Sequence, residues 1–199
     1  MKITVLTGAD KTYWSLMQLV APNRTEYCMR HGYQLSLMNY RELKEHFNES
    51  SIAFIERDTR ILKALRECNW LFYMDVDSII TNMTIPLEKI IEEYEEYNFI
   101  ISNLSNGINN GIMLIHNCSA TINFLTTIIE DLHTYNNDQG AMADILKRTS
   151  NMQIAKIDQT IFNSINDTWE KGHFVLHVPS LKYEDRLCIL KEKLQEVVR

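Results

Sequence analysis

The stretch Phe72–Ile80, FYMDVDSII, constrains this chain more than any other. An apolar run that begins at Trp70 and Leu71 ends abruptly in Asp75-Val76-Asp77, then resumes with Ile79 and Ile80. A run so short and so apolar, bounded by charge, predicts a buried parallel strand, because a strand covered on both faces is apolar at successive positions. In an open α/β sheet, ligands bind just beyond the carboxyl ends of such strands. Two carboxylates at alternate positions there repel, so either one takes up a proton or both share a cation. Oxygen ligands of this kind suit Mn²⁺ or Mg²⁺, often with a substrate phosphate completing the shell. The pair points to a metal-assisted phosphate or diphosphate site.

The chain has 199 residues, which predicts one domain over 1–199 that buries roughly 70% of its unfolded surface. A net charge of −6 argues against a broad nucleic-acid or anionic-membrane surface. No apolar run approaches the ~20 residues that span a bilayer, so no transmembrane segment is expected. Met1-Lys2 leads directly into the strand-like ITVLT, which leaves no room for a signal peptide and predicts a cytoplasmic protein. Cys28, Cys68, Cys118 and Cys188 have no paired spacing and read as reduced thiols. Asn-x-Ser/Thr sequons begin at Asn23, Asn48, Asn82, Asn103, Asn117 and Asn166; without a secretion signal they read as compositional.

Strands and helices alternate along the rest of the chain. Residues 2–7 predict a first strand, 11–31 a helix interrupted near Pro22, and 33–38 a second strand. Ile55, Ile61, Leu62 and Leu65 have helical spacing within 52–68, which places Arg57, Arg60 and Lys63 elsewhere on the surface. Thr84 is expected to cap a helix with Pro86 in its first turn, and Glu92–Glu96 to be a solvated face. Further strands are predicted at 98–102, 111–115, 152–157 and 173–177. Helices are predicted at 118–133, at 138–148 and from about Glu184. This alternation means an α/β fold with a mostly parallel central sheet flanked by helices.

Four short pieces combine with the Asp pair. Leu6-Thr7-Gly8 ends the first strand, where a glycine permits close approach of a ligand or makes an ordinary strand-to-helix turn. Asn109-Asn110-Gly111 is a turn signal, yet its carboxamides could also bond sugar hydroxyls. Asn137-Asp138-Gln139 opens a helix either as a cap or as a carboxylate and amide offered to substrate. His177 closes the apolar HFVLH and is a nitrogen ligand candidate for Mn²⁺ beside a carboxylate pair.

In order and spacing these pieces resemble the GT-A-type glycosyltransferases that use nucleotide-sugars, and most closely glycosyltransferase family 34, the galactosyl, mannosyl and xylosyl transferases. The resemblance runs through VLTG, Asn23 to Tyr27, His31-Gly32-Tyr33, the Arg60-to-Leu65 helix, WLFYMDVD, NNGIMLIHN, NDQGAM and FVLH. It implies a single GT-A domain that moves a sugar from a UDP-linked donor to a glycan or other hydroxyl acceptor, with retention of configuration. By the same likeness Asp75, Asp77 and His177 would hold Mn²⁺ (or Mg²⁺), and Asp75 and Val76 would also meet the nucleotide. Leu6, Thr7 and Asp10 would face the base, and Arg60 the nucleotide. Asn110 would line the donor sugar, Asp138 and Gln139 would be catalytic, and Lys182 would neutralise the departing diphosphate. The chain departs from the family where its Lys has become Arg60, where Ser180 replaces a Gly, and where Tyr183 stands at a related family's Lys.

Two other readings share the Asp pair. A haloacid-dehalogenase-type phosphatase would use Asp75 as a phosphoryl-accepting nucleophile, but its strand usually lies near the N-terminus. A non-catalytic nucleotide-sugar-binding protein would typically have lost one Asp. The expected partners are a nucleotide-sugar and a hydroxyl acceptor; a homodimer is left open.

Overall fold

The computed structural model describes residues 1–39, 49–104, 107–131, 138–149 and 152–199. Along the chain, β1 (Ile3–Ala9), α1 (Trp14–His31), β2 (Gln34–Asn39) and α2 (Glu49–Leu65) lead to β3 (Trp70–Met74) and β4 (Ser78–Ile80). Then come α3 (Leu87–Glu93), β5 (Phe99–Leu104), β6 (Gly107–His116), α4 (Ser119–Asp131), α5 (Asp138–Arg148) and β7 (Ile154–Asp158). The last elements are α6 (Gln159–Phe162), β8 (Ser164–Ile165), β9 (Val175–His177) and α7 (Tyr183–Lys193).

The central sheet has the order β2-β1-β3-β6-β5-β7, and β4-β9-β8 form a second, smaller sheet. β1 pairs in parallel with β2 and β3, and β5 pairs in parallel with β7. Only β6 runs against its neighbours, β3 and β5. The sheet is thus mixed at one strand, and parallel elsewhere as expected.

Both faces of the sheet are covered, which is why β1 and β3 are buried at every position. Phe72 and Met74 pack with Tyr27, Ile112, Leu114 and Phe174 in one cluster. Leu71 and Tyr73, pointing the other way, pack with Leu6, Ile61, Leu65 and Met113 in another. Full burial of each such side chain contributes about 1.5–3 kcal/mol.

FYMDVDSII is not one strand. β3 stops at Met74 and β4 starts at Ser78 in the other sheet, so Asp75-Val76-Asp77 is the turn where the chain changes sheets. Val76 anchors that turn in a third cluster with Leu16, Met17, Ile79, Leu176 and Leu190. The flanking carboxylates are left to face away from this apolar contact.

The structure differs from expectation at three further places. α1 runs unbroken through Pro22; the lost backbone donor is outweighed by burial of Leu16, Met17, Val20, Tyr27 and Cys28 along one face. α3 begins at Leu87 behind Pro86 without a side-chain cap, because the Thr84 hydroxyl donates instead to Asn82 Oδ1 at 2.6 Å. Asn109-Asn110-Gly111 lies inside β6 and makes no turn.

The Asn23–Tyr33 stretch has a mechanical role. Asn23 exchanges two hydrogen bonds with the backbone of Ile80, at 2.8 and 2.9 Å. Tyr27 donates to the Ile85 carbonyl at 2.7 Å, and Tyr33 donates to Glu88. His31 Nε2 lies 2.8 Å from the Met83 carbonyl. These contacts pin the segment that follows the Asp turn to α1.

Candidate active site

Three side chains meet at the sheet change. Among the described residues, Asp75, Asp77 and His177 form the group able to hold a cation, their ligand atoms all within 4.8 Å of one another. Strand pairing causes the meeting: β4 and β9 are antiparallel with Ser78 opposite His177, and Val178 N donates to the Asp77 carbonyl at 3.0 Å. His177 Nε2 lies 3.2 Å from Asp77 Oδ1 and 3.9 Å from Asp75 Oδ2.

Each ligand candidate is held from behind. The Tyr73 hydroxyl donates to Asp75 Oδ1 at 2.6 Å, and the Asp75 N–H donates to the Gly111 carbonyl at 2.7 Å. Arg186 Nη1 lies 2.9 Å from Asp77 Oδ2. Beneath the turn, buried Arg24 donates to the Asp75 carbonyl at 2.8 Å and to Ser78 Oγ at 3.1 Å.

The electrostatics follow from this crowding. Burial, and then the Asp77 charge, push the Asp75 carboxyl up to about 6. Burial also opposes ionisation of Asp77, but His177 and Arg186 overcome it and hold this carboxyl below its usual range. Burial disfavours the His177 imidazolium, yet the two carboxylates raise its pKa. Arg24 is lowered to about 10, chiefly by burial. Asp75 is thus the carboxylate whose charge a divalent cation would relieve.

The residues fit such an ion. Two carboxylates and an imidazole are a donor set for Mn²⁺ or Mg²⁺. Gly111 makes the room: a Cβ there would lie 2.4 Å from His177 Cε1 and 2.7 Å from Asp75 Oδ2.

A cleft of ≈ 530 Å³ opens over the cluster, lined among others by Gly8, Asp10, Tyr13, Arg57, Asp75 and Arg186. Val76 also borders it. Asp10 spends one carboxylate oxygen on the N–H groups of Thr12 and Tyr13, at 2.9 and 3.0 Å. Leu6 and Thr7 are fully buried in β1, so Gly8, Ala9 and Asp10 form the wall expected at the first two.

The expected cations fall elsewhere. Arg60 borders a different groove with Gln34, Ser36 and Lys63, and its guanidinium lies 3.8 Å from Glu56. Arg57, three residues earlier, faces the cleft instead: it is buried, pairs with Asp58 at 2.9 Å and sits 5.4 Å over the Tyr73 ring. Lys182 is an exposed residue preceding α7, whereas Arg186, one turn later, reaches Asp77. In each case packing brings the cation three or four residues away to the cleft.

Asn110 is buried, and its Nδ2 has no hydrogen-bond partner among the described residues. Gln139 is half-buried in the first turn of α5 and is not among the described cleft-lining residues. Asn137 and the Asp138 side chain lie outside the described residues. Asn163 gave no sequence signal, yet it is fully buried with Oδ1 3.1 Å from His177 Nδ1.

Comparison with known proteins gives a resemblance and a fold. Residues 2–95 match the galactosyl transferase GMA12/MNN10 family. Over that part the chain resembles this family, and its fold is that of the GT-A glycosyltransferases. The chain is 21% identical to "Probable alpha-1,2-galactosyltransferase gmh2" of Schizosaccharomyces pombe, across 88% of its own length and 64% of the relative's. It therefore spans just under two thirds of that relative. A glycosyltransferase involved in glycosylation of the major capsid of PBCV-1 superposes with a TM-score of 0.81 at 16% identity, covering 96% of this chain and all of the other. Galactosyltransferase LgtC, solved with donor and acceptor sugar analogues, gives 0.63 at 12% identity over 98% and 95% of the two chains. Among the described residues no helix is long and apolar enough to cross a membrane.

Proposed function

We propose that this protein transfers a sugar from a nucleotide-sugar, UDP-linked by family likeness, to a hydroxyl of a glycan acceptor, with retention of configuration. The observation that carries the reading is the Asp75–Asp77–His177 cluster at the floor of a cleft in a GT34-like chain. Asp75, Asp77 and His177 would hold Mn²⁺ (or Mg²⁺), which when bound screens the charge that builds on the diphosphate leaving group.

The chain's own groups do the rest. Arg57 and Arg186 line the cleft as fixed positive charges, where a developing diphosphate charge is stabilised more than in water. Gly8, Ala9, Asp10 and Tyr13 form the wall that meets the nucleoside, and Val76 borders the same space. Asn110, with an unpartnered buried amide, together with Asp138 and Gln139, is assigned by likeness to the donor-sugar side. Arg186 takes the role that the sequence suggested for Lys182. A phosphatase reading is not favoured, since the chain's similarities are to glycosyltransferases.

A screen of nucleotide-sugar hydrolysis with Mn²⁺ tests the proposal. Metal-dependent release of a nucleoside diphosphate from at least one donor is expected. Hydrolysis of p-nitrophenyl phosphate with indifference to every nucleotide-sugar would overturn it.

A further inference from the structure

The hydrogen bonds behind His177 have one consistent direction. The backbone N–H of Gly111 can only donate, and it donates to Asn109 Oδ1 at 2.9 Å. That same oxygen faces the Asn163 amide at 3.1 Å, so Asn163 must present its NH₂ group there. With its nitrogen turned to Asn109, Asn163 turns its oxygen to His177 Nδ1, 3.1 Å away. A carbonyl oxygen can only accept, so Nδ1 carries a proton and donates it. Nε2, across the ring, is then the atom left facing Asp77 and Asp75.

All three side chains are enclosed, with exposures of 7% for Asn109, 0% for Asn163 and 2% for His177. An amide flip here would strand buried donors and acceptors, which costs more than the bonds themselves contribute. The direction is therefore imposed by a backbone group and handed along two amides to an imidazole. Gly111 acts at both ends: its N–H starts the chain of bonds, and its missing side chain makes room for the ring.

We propose that Asn109 and Asn163 are positioning residues that lock His177 in the Nδ1–H form, so that Nε2 is always its cation-facing atom. The inference rests on reading Asp75, Asp77 and His177 as a cation site. Whatever the charge of the ring, Nδ1 keeps its proton. A proton held on Nδ1 leaves Nε2 as the ring nitrogen whose lone pair a cation can use.

Long-range ¹H–¹⁵N NMR of the metal-free wild-type protein reads both ring nitrogens of His177 directly. The expected result is a proton retained on Nδ1 while Nε2 alone titrates; a neutral ring protonated on Nε2 overturns the proposal. Asn163→Leu removes the acceptor, and Asn109→Leu, which does not touch His177, frees the Asn163 amide to rotate. Both are expected to mix the ring forms and to weaken Mn²⁺ binding about 10–100-fold by calorimetry. Asn163→Asp in the Asn109→Leu background keeps an acceptor on Nδ1–H with no oxygen opposed to it, and is expected to restore most of that loss, which a general packing role would not. Leucine variants with a wild-type ring form and wild-type Mn²⁺ affinity overturn the proposal. A wild-type protein that binds no divalent cation defeats the cation-site reading, and the NMR result still decides the hydrogen-bond direction.

Discussion

Gly111 and His177 are packed so tightly that a Cβ on the glycine would sit 2.4 Å from the histidine Cε1. The same Cβ would come within 2.7 Å of Asp75 Oδ2. Asn-Gly is therefore present here for space at a ligand cluster. Gly111→Ala is expected to displace the ring, lower sugar-transfer activity on the order of 100-fold, and cost about 1–3 kcal/mol of stability. Activity assays beside chemical denaturation check this; an alanine variant with full activity would remove Gly111 from the site.

Asp77 is nine-tenths enclosed and shared between His177 and Arg186. With Mn²⁺ and a nucleoside diphosphate at a hundredfold over Kd, the wild-type protein should gain about 2.7 kcal/mol of stability. Asp77→Asn should gain none of it. Thermal melts with UDP or GDP, with and without Mn²⁺, measure the difference.

Arg186 and Lys182 lie one turn apart, but only Arg186 reaches the acidic pair. Arg186→Ala is expected to weaken diphosphate binding by about tenfold or more, given the ~1.5–3 kcal/mol of a hydrogen bond to a charged group. Lys182→Ala should change it little. Equal effects in a titration with UDP would reverse the assignment.

Asp75 gives a pH dependence with opposite signs in the two states. Its carboxyl is pushed up to about 6 by burial and by Asp77, so a proton competes with a cation, and Mn²⁺ affinity should fall as pH drops below about 6. Without cation, a raised folded pKa contributes stability that is present below the unfolded value and lost as pH rises through about 6. In chelator, Asp75→Asn should therefore melt above wild type at neutral pH and converge with it near the ordinary carboxylate pKa, about 4. Parallel melting curves across that range would contradict the origin given for the shift.

Ser180 has a φ of 61°, in the left-handed region. A β-branched residue fits that region worst, so Ser180→Val is expected to cost about 1–2 kcal/mol. Ser180→Gly should be at least neutral, since strain relief offsets the added chain entropy of about 0.5–1 kcal/mol. Denaturant midpoints distinguish the two.

The parts of this molecule legible in the sequence are those encoded by periodicity and by composition at strand ends. β1 and β3 announce themselves as continuous apolar runs, α2 by its Ile55–Leu65 spacing, and His177 by its place at the end of FVLH. The reversed direction of β6 was not legible, because strand polarity leaves no mark on local pattern. Arg57 was hidden because burial of a cation depends on its partners, here Asp58 and the Tyr73 ring. Asn163 was silent for a similar reason: its bonding partners lie 14 and 54 residues away. The abrupt charged end of an apolar run located the acidic pair, whereas the cations around it were decided by packing.

The pairing of β4 with β9 joins Ser78 to His177, nearly half the chain apart, and Val198 adds bonds to Thr81 and Met83 just beyond. Contacts of such long sequence separation form late, after loop-closure entropy has been met. The proposed cation site is consequently a readout of finished folding: a chain still missing its last strand has both aspartates but no histidine to set beside them. Metal affinity, followed in time during refolding, should appear with the final structure rather than with the first sheet.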